Sequence, residues 1–373
     1  MLTIGIDTSA LRPIISGGIV NTQAGVLREV FACCRQHRYV VFVTAANRSI
    51  FAALSDRVEV VEVPAETPGR QLDAALKQRR VDILFRSYPQ VEQLAFSLDR
   101  QIAYIPDLQH EFLPQFFRPE DLAFRREAHD RVLGGAGAIA TISEFSRMTL
   151  AARAPATREI FLMPPALPRA HVVADLGTPE PGEADLLPRK HYFYYPANLW
   201  PHKNHRRVFD AFRAFTRTAL TPYAFVLTGD PTGWPELASD YADLDLRHLG
   251  HVSTRTVAYL YRRATALVFL SLFEGFGAPL LEAFHAGTPV LCSDTTSLPE
   301  VAGGAALLAD PTDLPAMVAG LQRIAGDTAL RRDLVARGKQ RLAAYSWQRS
   351  AESFIRACTA VAARAQGAAA LVG

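Results

Sequence analysis

The sequence predicts two α/β domains in tandem, each built on a parallel sheet with crossover helices. The chain has 373 residues, which is too long for one ordinary hydrophobic core. Short β-branched runs alternate with helical patterns along its length, and this alternation is typical of parallel sheets. A proline- and glycine-rich stretch with few strand signals begins at 164 and ends at 188, and it indicates the domain boundary.

Each predicted domain contains a complete series of strands. The first domain, over 1–165, is predicted to have strands at 2–6, 39–44, 58–63, 83–86, 101–105 and 138–142. The linker is placed at 166–188. The second domain, over 189–345, is predicted to have strands at 192–195, 224–228, 246–249, 266–270, 290–293 and 306–308. Ligands of such domains bind at the carboxyl ends of the strands, so two domains predict a cleft.

Two helices are predicted from apolar residues that recur at helical spacing. A helix over 204–215 carries the apolar stripe Val208, Phe209, Phe212 and Phe215. The tail, 346–373, is predicted to hold a helix over 346–363 with one apolar face, formed by Trp347, Ala351, Phe354, Ile355 and Cys358. Both helices therefore commit one face to burial.

Composition indicates a folded, soluble, cytoplasmic enzyme-sized protein. The hydrophobic fraction is 49% and the charged fraction 21%, while the net charge of +3 does not support nucleic-acid binding. The longest apolar runs, such as 264–272, are far shorter than the ~20 residues of a membrane span. No secretory signal is apparent at the start. The four cysteines form no Cys-x-x-Cys pair, which predicts free thiols in a reducing compartment.

The segment 271–282, Ser-Leu-Phe-Glu-Gly-Phe-Gly-Ala-Pro-Leu-Leu-Glu, directly follows the predicted strand 266–270. Gly275 and Gly277 permit a tight turn and a close backbone approach to a ligand. Pro279 suits the first turn of a helix because its missing donor costs nothing there. The segment therefore predicts a strand, a loop and a helix that begins near its end.

That helix is predicted to run from Leu280 to about Ala286, with Gly287 as its C′ residue. Glu274 is then on the loop and Glu282 in the first helical turn. Free N–H groups and the positive end of the helix suit a diphosphate. The two carboxylates flank this position and can accept hydrogen bonds from sugar hydroxyls.

The joint pattern resembles the Glu-x7-Glu motif of the retaining family 4 glycosyltransferases, which have the GT-B fold. The resemblance implies two Rossmann-like domains that face each other across a cleft, with a C-terminal helix that crosses back to the first domain. It also implies that Glu274 orients the sugar and that Glu282 binds the donor ribose. The donor-binding residues near them are Phe276, Gly277, Ala278, Pro279 and Leu280.

The segment 197–205, Ala-Asn-Leu-Trp-Pro-His-Lys-Asn-His, is similar to the loop in which that family holds the donor diphosphate with a lysine. Lys203 matches the lysine, and Asn198 belongs to the same donor-binding loop. Many members have an arginine where this chain has Ala197. His202, His205 or Arg206 is the candidate to replace its charge.

Two further turns of the second domain fit the resemblance. Residues 249–253 are similar to the base-binding turn, so His251 and Val252 are donor-binding candidates, and Ser253 or Thr254 is expected to cap the next helix. The stretch 297–301 is also typical of the family, either for binding or for packing.

In the first domain, residues 16–19, Ser-Gly-Gly-Ile, resemble a glycine-rich loop that approaches the donor phosphates, which makes Gly17 and Gly18 donor-binding candidates. Asp107 and His110 follow a predicted strand and are acceptor-side candidates. His110 is also a catalytic candidate, because the histidine that often precedes this aspartate is replaced by Pro106. Ser143 is expected to cap the last helix of the domain.

The resemblance implies retention of anomeric configuration, with the leaving phosphate taking the acceptor proton. Lys203 and helix amides stabilise the charge on the diphosphate. No cofactor and no metal are expected, because no acidic pair at a strand end has spare ligands. The favoured reaction moves a hexose from a GDP-sugar, above all GDP-mannose, to a saccharide or lipid-linked saccharide, in the synthesis of a surface polysaccharide such as lipopolysaccharide.

Several alternatives stay open at this stage. A UDP- or dTDP-sugar is the next donor, and a nucleotide-sugar epimerase is the next enzyme class; a glycoside phosphorylase would need a longer chain. A sugar-binding protein without activity is usually exported. Peripheral membrane contact through the first domain is a further possibility, since 116–118 and nearby arginines could touch headgroups. Neighbouring acidic residues favour a solvated helix there.

Overall fold

The computed structural model describes residues 1–12, 17–65, 68–168 and 178–372. It divides the chain into two compact units, one of Met1–Ala166 with Ser346–Gly373 and one of Leu167–Tyr345. Ser16 of the predicted glycine loop and the centre of the predicted linker, 169–177, lie outside the described residues. Each unit is a parallel sheet with helices, as the sequence predicts.

The sheet of the first unit has seven parallel strands in the order β3-β2-β1-β4-β5-β6-β7. The six predicted strands are confirmed, each with ends within two residues of the prediction. The short edge strand β7 was not predicted. The strands are β1 (Thr3–Asp7), β2 (Arg38–Val43), β3 (Glu59–Glu62), β4 (Ile83–Arg86), β5 (Gln101–Tyr104), β6 (Ala138–Thr141) and β7 (Ile160–Leu162).

Six helices of the first unit connect these strands in the described part of the chain. They are α1 (Gly17–Cys33), α2 (Arg48–Ala52), α3 (Pro68–Gln78), α4 (Gln109–Phe112), α5 (Pro119–Gly135) and α6 (Glu144–Ala151). Ser143 caps α6 as expected, since its Oγ accepts a hydrogen bond from the Ser146 N–H at 3.1 Å.

The sheet of the second unit has six parallel strands in the order β10-β9-β8-β11-β12-β13. All six were predicted, with ends within one residue. They are β8 (His191–Pro196), β9 (Tyr223–Thr228), β10 (Leu246–His248), β11 (Ala266–Phe269), β12 (Val290–Ser293) and β13 (Leu307–Ala309). The side chains of the four central strands, β9, β8, β11 and β12, are mostly buried, whereas the edge strands β10 and β13 are largely half-buried.

The helices of the second unit include the predicted amphipathic one, which buries its phenylalanine stripe. They are α7 (His205–Thr216), α8 (Trp234–Ser239), α9 (Thr254–Arg263), α10 (Ala278–Ala286), α11 (Leu298–Ala302), α12 (Leu314–Gly326) and α13 (Thr328–Arg341). Residues 178–183 of the predicted linker join this unit, because the Glu183 carboxylate accepts hydrogen bonds from the Ser253 N–H and hydroxyl before α9.

The tail forms helix α14 (Trp347–Val372), which packs against α1 and so returns to the first unit as expected. Gly25 of α1 allows this approach, because a Cβ atom there would lie 2.6 Å from the Trp347 ring. Arg364 forms an ion pair with Glu159 at 2.8 Å, and Phe354 is fully buried. No helix in the described ranges is long and apolar enough to cross a bilayer.

In each sheet the first three strands in sequence lie side by side toward one edge, and the later strands are added on the other side of the first strand. The switch lies between β1 and β4 in the first unit and between β8 and β11 in the second. Loops diverge at such a point and leave a crevice at the carboxyl ends of the two strands. A ligand site is therefore expected at one or both of these positions.

Candidate active site at the switch point of the second unit

An ion pair spans the switch point of the second unit. Lys203, on the loop after β8, lies with its Nζ atom 2.6 Å from Oε1 of Glu274, on the loop after β11. The two side chains are only 13% and 12% exposed. The Lys203 ammonium also lies 5.1 Å from the centre of the Phe269 ring. The structure thus brings together the two residues that the sequence singled out for diphosphate and sugar.

Buried hydroxyls fix the loop that carries Lys203. Tyr195, near the end of β8, donates from its hydroxyl to the Lys203 carbonyl at 2.6 Å, and the same hydroxyl lies 3.0 Å from Ser271 Oγ. Ser293 in β12 donates to the Ser271 carbonyl at 2.6 Å. Side chains from β8, from β12 and from the segment after β11 therefore hold the backbone around the ion pair.

Asn204 ends the short 3₁₀ turn Pro201–Lys203 in a left-handed conformation, with φ of 63°. Its buried amide donates to the Leu270 carbonyl at 3.1 Å and to the Pro311 carbonyl at 2.8 Å. Asparagine tolerates this backbone conformation better than most residues. It therefore reverses the chain after Lys203 and ties the turn to the end of β11.

The loop that carries Glu274 is braced from the segment after β12. The Glu274 N–H donates to the Thr296 hydroxyl at 3.2 Å. Ser297 donates to the carbonyls of Glu274 and Phe276, at 2.8 and 3.0 Å. The stretch 297–301 that the sequence marked as typical thus supports the glutamate loop, and it also begins helix α11.

Helix α10 begins directly after this loop with Gly277 at its N-cap. Gly277 has φ of 100°, and a Cβ atom there would lie 2.5 Å from Leu298, so only glycine fits. A glycine offers no side-chain cap. Within the described part of the chain, the N–H groups of Gly277 and Ala278 donate to no protein acceptor. They are available for an anion.

The prediction for Glu282 was wrong by one turn. Because α10 begins at Ala278, Glu282 is its fifth residue, and the first turn holds no acidic side chain. The predicted helix end is confirmed, since Gly287 follows Ala286 in a left-handed conformation with φ of 73°. Glu282 instead accepts a hydrogen bond from the buried hydroxyl of Tyr261, with Oε2 at 2.7 Å.

Of the candidates for the missing arginine, the two histidines are neutral and the arginine is paired with a carboxylate. Burial, and then the Lys203 charge, lower the pKa values of His202 and His205 to about 3, so both rings are neutral near pH 7. The His205 ring stacks on Tyr195 at 4.9 Å. The Arg206 guanidinium forms an ion pair with Asp240 at 2.5 Å. A role of any of them in binding phosphate stays a prediction.

The predicted base-binding turn lies at the end of β10. Gly250 has φ of 67°, and its carbonyl accepts from the Gly229 N–H at 3.0 Å. Asn198 reaches the same region, because its Oδ1 accepts from the Asp230 N–H at 2.9 Å. His251 is exposed, Val252 is half-buried, and Ser253 caps α9 as predicted. The second unit thus contains all but four of the predicted site residues, the exceptions being Gly17, Gly18, Asp107 and His110.

In the first unit, the expected glycine loop is in part a helix. Helix α1 begins at Gly17, so Gly17 and Gly18 lie in its first turn. A Cβ atom at Gly18 would meet nothing within 4 Å, so packing does not explain this glycine. The prediction of a loop was therefore wrong for these two residues, because helix α1 already includes both of them.

Asp107 and His110 lie at the carboxyl end of β5. The Asp107 Oδ1 accepts from the Gln109 N–H at 2.9 Å, next to α4. His110 is only 1% exposed, and its ring packs on His129 at 4.8 Å. Burial, and then His129, lower the His110 pKa to about 4. The His110 ring is enclosed by protein, and its catalytic role stays a prediction.

The described residues contain no group of three or more histidine, cysteine, aspartate or glutamate side chains that could hold a metal ion. The positive charge at the site comes from Lys203 and from the start of α10. The negative charge comes from Glu274 and Glu282. This arrangement can bind a diphosphate beside a polyhydroxyl group, which are the parts of a nucleotide sugar.

The sequence of the second unit matches a known family. Residues 182–341 match the family model described as Glycosyl transferases group 1. The match covers β8 to α13, including Lys203, Glu274 and Glu282. The match supports the prediction that this chain is a glycosyltransferase.

Known proteins with similar sequences include three mannosyltransferases. The O-antigen chain mannosyltransferase B of Escherichia coli is 28% identical over 268 residues, 68% of this chain and 69% of that protein. The O-antigen chain mannosyltransferase RfbU of Salmonella typhimurium is 31% identical over 33% of this chain and 36% of that protein. The serotype-specific mannosyltransferase WbdA of Escherichia coli is 33% identical over 30% of this chain and 14% of that protein.

Solved structures agree on the fold. The sucrose-phosphate synthase of Thermosynechococcus elongatus has a TM-score of 0.71 at 18% identity, with 95% of this chain and 98% of that chain covered. WaaG, a glycosyltransferase involved in lipopolysaccharide biosynthesis, has a TM-score of 0.68 at 13% identity, with 94% and 98% covered. The chain therefore has two Rossmann-like domains of the GT-B type, as the sequence predicts.

Proposed function

We propose that this chain is a retaining hexosyltransferase that moves mannose from GDP-mannose to a saccharide or lipid-linked saccharide in surface polysaccharide synthesis. The observation that carries the proposal is the Lys203–Glu274 pair at the switch point of the second unit, next to the free amides of Gly277 and Ala278. These groups match the two halves of a nucleotide sugar. The names of the similar proteins, which are mannosyltransferases, support the choice of sugar.

In the proposed reaction, the bond between the anomeric carbon and the phosphate oxygen breaks, and a bond from the acceptor hydroxyl oxygen forms on the same face. The acceptor proton passes to the leaving phosphate, so the reaction is balanced without a further reactant. Lys203 and the α10 amides stabilise the charge that develops on the diphosphate. Glu274 holds sugar hydroxyls, and Glu282 binds the ribose. This division requires no metal and no cofactor.

Substitution of the two glutamates tests the site. Glu274→Ala is expected to lower kcat strongly because it removes a transition-state contact, whereas Glu282→Ala is expected mainly to raise the KM for the donor. Glu236→Ala is the matched control, because this glutamate is exposed on α8. Steady-state transfer from GDP-mannose and circular dichroism are measured for each. Near-normal kcat in a folded Glu274→Ala variant would refute the proposed site.

The donor is tested by thermal shift with GDP-mannose, UDP-glucose and a dTDP-sugar. A ligand at a hundred times its Kd stabilises the folded state by about 2.7 kcal/mol. The largest shift is expected with GDP-mannose. A larger shift with a UDP- or dTDP-sugar would show that the proposed donor is wrong, while the proposed transfer reaction would stand. Turnover of a nucleotide sugar to its epimer, with no transfer to any acceptor, would favour an epimerase.

We place the protein in the cytoplasm, in line with its four free cysteines, and propose that its first unit contacts a membrane surface. Phe112, Phe116 and Phe124 are 47%, 36% and 40% exposed. The neighbouring arginines are paired, Arg118 with Asp121 at 2.9 Å and Arg126 with Glu111 at 3.0 Å. Apolar contact should therefore dominate, and binding should depend weakly on salt.

The membrane contact is tested by sedimentation with vesicles of phosphatidylethanolamine and phosphatidylglycerol. The wild type is expected to sediment with the vesicles at both low and high salt. A variant with serine at the three phenylalanine positions should stay in solution and keep activity toward a water-soluble acceptor. A wild-type protein that does not sediment would refute the contact.

A further inference from the structure

A buried tyrosine holds the second glutamate of the candidate site. Tyr261 lies in α9 with no exposed surface, and its hydroxyl donates to Oε2 of Glu282 in α10 at 2.7 Å. Because an ionised carboxylate only accepts hydrogen bonds, the tyrosine must be the donor. The bond crosses between two helices, so it fixes the side chain of Glu282 from a different element of the unit.

The tyrosine itself is held on two sides. Its carbonyl accepts a hydrogen bond from the Thr288 hydroxyl at 2.6 Å, just after the end of α10. Its ring packs edge-on against Tyr194 of β8, with 4.9 Å between ring centres and 84° between planes. The hydroxyl of Tyr194 lies 2.7 Å from the Thr228 hydroxyl. The donor to Glu282 therefore has a defined position.

We propose that Tyr261 is a positioning residue for nucleotide recognition, which holds the Glu282 carboxylate ready to accept hydrogen bonds from the two ribose hydroxyls. This inference rests on the proposed function. A carboxylate has about four lone-pair sites, and the bond from Tyr261 to Oε2 occupies one of them. Without the tyrosine, the side chain of Glu282 would have more rotamers to lose when the ribose binds.

The chain supplies a matched control that contacts the same helix. Tyr192 is also buried, and it donates from its hydroxyl to the Leu260 carbonyl in α9 at 2.9 Å. Tyr192→Phe removes a buried hydroxyl that contacts α9 but no carboxylate. Tyr261→Phe removes the hydroxyl that contacts Glu282. A difference in GDP binding between the two variants would therefore come from the lost contact with the Glu282 carboxylate and not from the loss of a buried hydroxyl in general.

The experiment measures the Kd of GDP and of 3′-deoxy-GDP by calorimetry for the wild type and both variants. The wild type is expected to bind GDP about tenfold more tightly than the deoxy form, as for a hydrogen bond to a charged group. In Tyr261→Phe, GDP binding should weaken about five- to tenfold and the preference should shrink to about twofold. Tyr192→Phe should keep the wild-type preference.

A Glu282→Gln background completes the test. If Tyr261 acts through Glu282, adding Tyr261→Phe should weaken GDP binding little further, because coupled residues are not additive. A wild-type preference in Tyr261→Phe, or full additivity, would overturn the positioning role alone. If the wild type binds GDP and UDP no more tightly than phosphate, the proposed function fails and the positioning role fails with it.

Discussion

Because Glu274 is paired with Lys203, the substitution Glu274→Gln is expected to strengthen the binding of GDP and to abolish transfer from GDP-mannose. In the structure the Lys203 ammonium is held by Glu274 at 2.6 Å, in surroundings where both side chains are nearly buried. If Lys203 binds the donor diphosphate, the phosphate must compete with the carboxylate for it. Glu274→Gln keeps the shape of the side chain but removes its charge.

The size of the effect follows from the contact. A hydrogen bond between charged partners is roughly twice as strong as a neutral one, and bonds to charged groups contribute about 1.5–3 kcal/mol. The substitution should therefore weaken the hold on Lys203 by about 1.4 kcal/mol, which is a tenfold change in affinity. GDP should bind to Glu274→Gln about tenfold more tightly, while transfer from GDP-mannose is lost.

The assay is calorimetry with GDP, together with steady-state transfer and urea unfolding. Asp333→Asn is the control, because it breaks a 2.6 Å ion pair with Arg337 in which both side chains are about half exposed. Such a pair contributes at most about 1 kcal/mol, and GDP binding should not change. Equal or weaker GDP binding in Glu274→Gln would show that the phosphate does not compete for Lys203.

Three further outcomes are expected. Transfer should survive EDTA because the diphosphate charge is met by Lys203 and helix amides; complete loss with rescue by magnesium or manganese would contradict this. Deletion from Ser346 onward should expose the surface of α1 around Gly25, so solubility and activity should both be lost, and a soluble, active truncation would contradict the packing of α14. The pKa values of His202 and His205, lowered to about 3 by burial and then by Lys203, should make stability fall as pH falls from about 6.5 toward 3, since the unfolded chain takes up protons first. Urea unfolding at pH 7, 6 and 5 measures that slope, which His205→Asn should flatten.

The central strands were predictable from the sequence because each is a short run of mostly apolar side chains that are mostly buried. The edge strand β7 was missed because it has three half-buried residues, Ile160 to Leu162, and a run of this length resembles a turn as much as a strand. The predicted end of helix α14, at residue 363, was also too early. Its alanine-rich end has no periodic pattern, so the apolar stripe that predicts helix α14 stops before the helix does.

The candidate site was predictable where one residue type implies one chemistry. Lys203 and Glu274 were singled out on separate segments, and the structure pairs them. The residues that hold them were not predictable, because a buried hydroxyl such as that of Tyr195 has no signature in one sequence. Tyr261 was missed for the same reason, since its tyrosine side chain is equally common in an apolar core.

The sequence pattern alone could not determine which residue forms the N-cap of a helix. Gly277 and Pro279 correctly indicate a helix start, but a glycine can stand at the cap or in the loop before it. The structure places the cap at Gly277, and Glu282 consequently moves from the first turn to the second. The same uncertainty explains Gly17 and Gly18, which lie in a first helical turn.

The two units use the same point of their topology in different ways. In the first unit, Asp7 and Arg86 end the neighbouring strands β1 and β4 and form a buried ion pair at 3.1 Å, so the protein fills its own switch point with opposite charges. In the second unit, the side chains that fix the equivalent strand ends are the neutral hydroxyls of Tyr195 and Ser271. The charges there are carried farther out, on loops, and retain some exposure. A charged ligand can displace a contact on a loop more readily than one between strand ends, and this difference supports the proposal that a nucleotide sugar binds to the second unit.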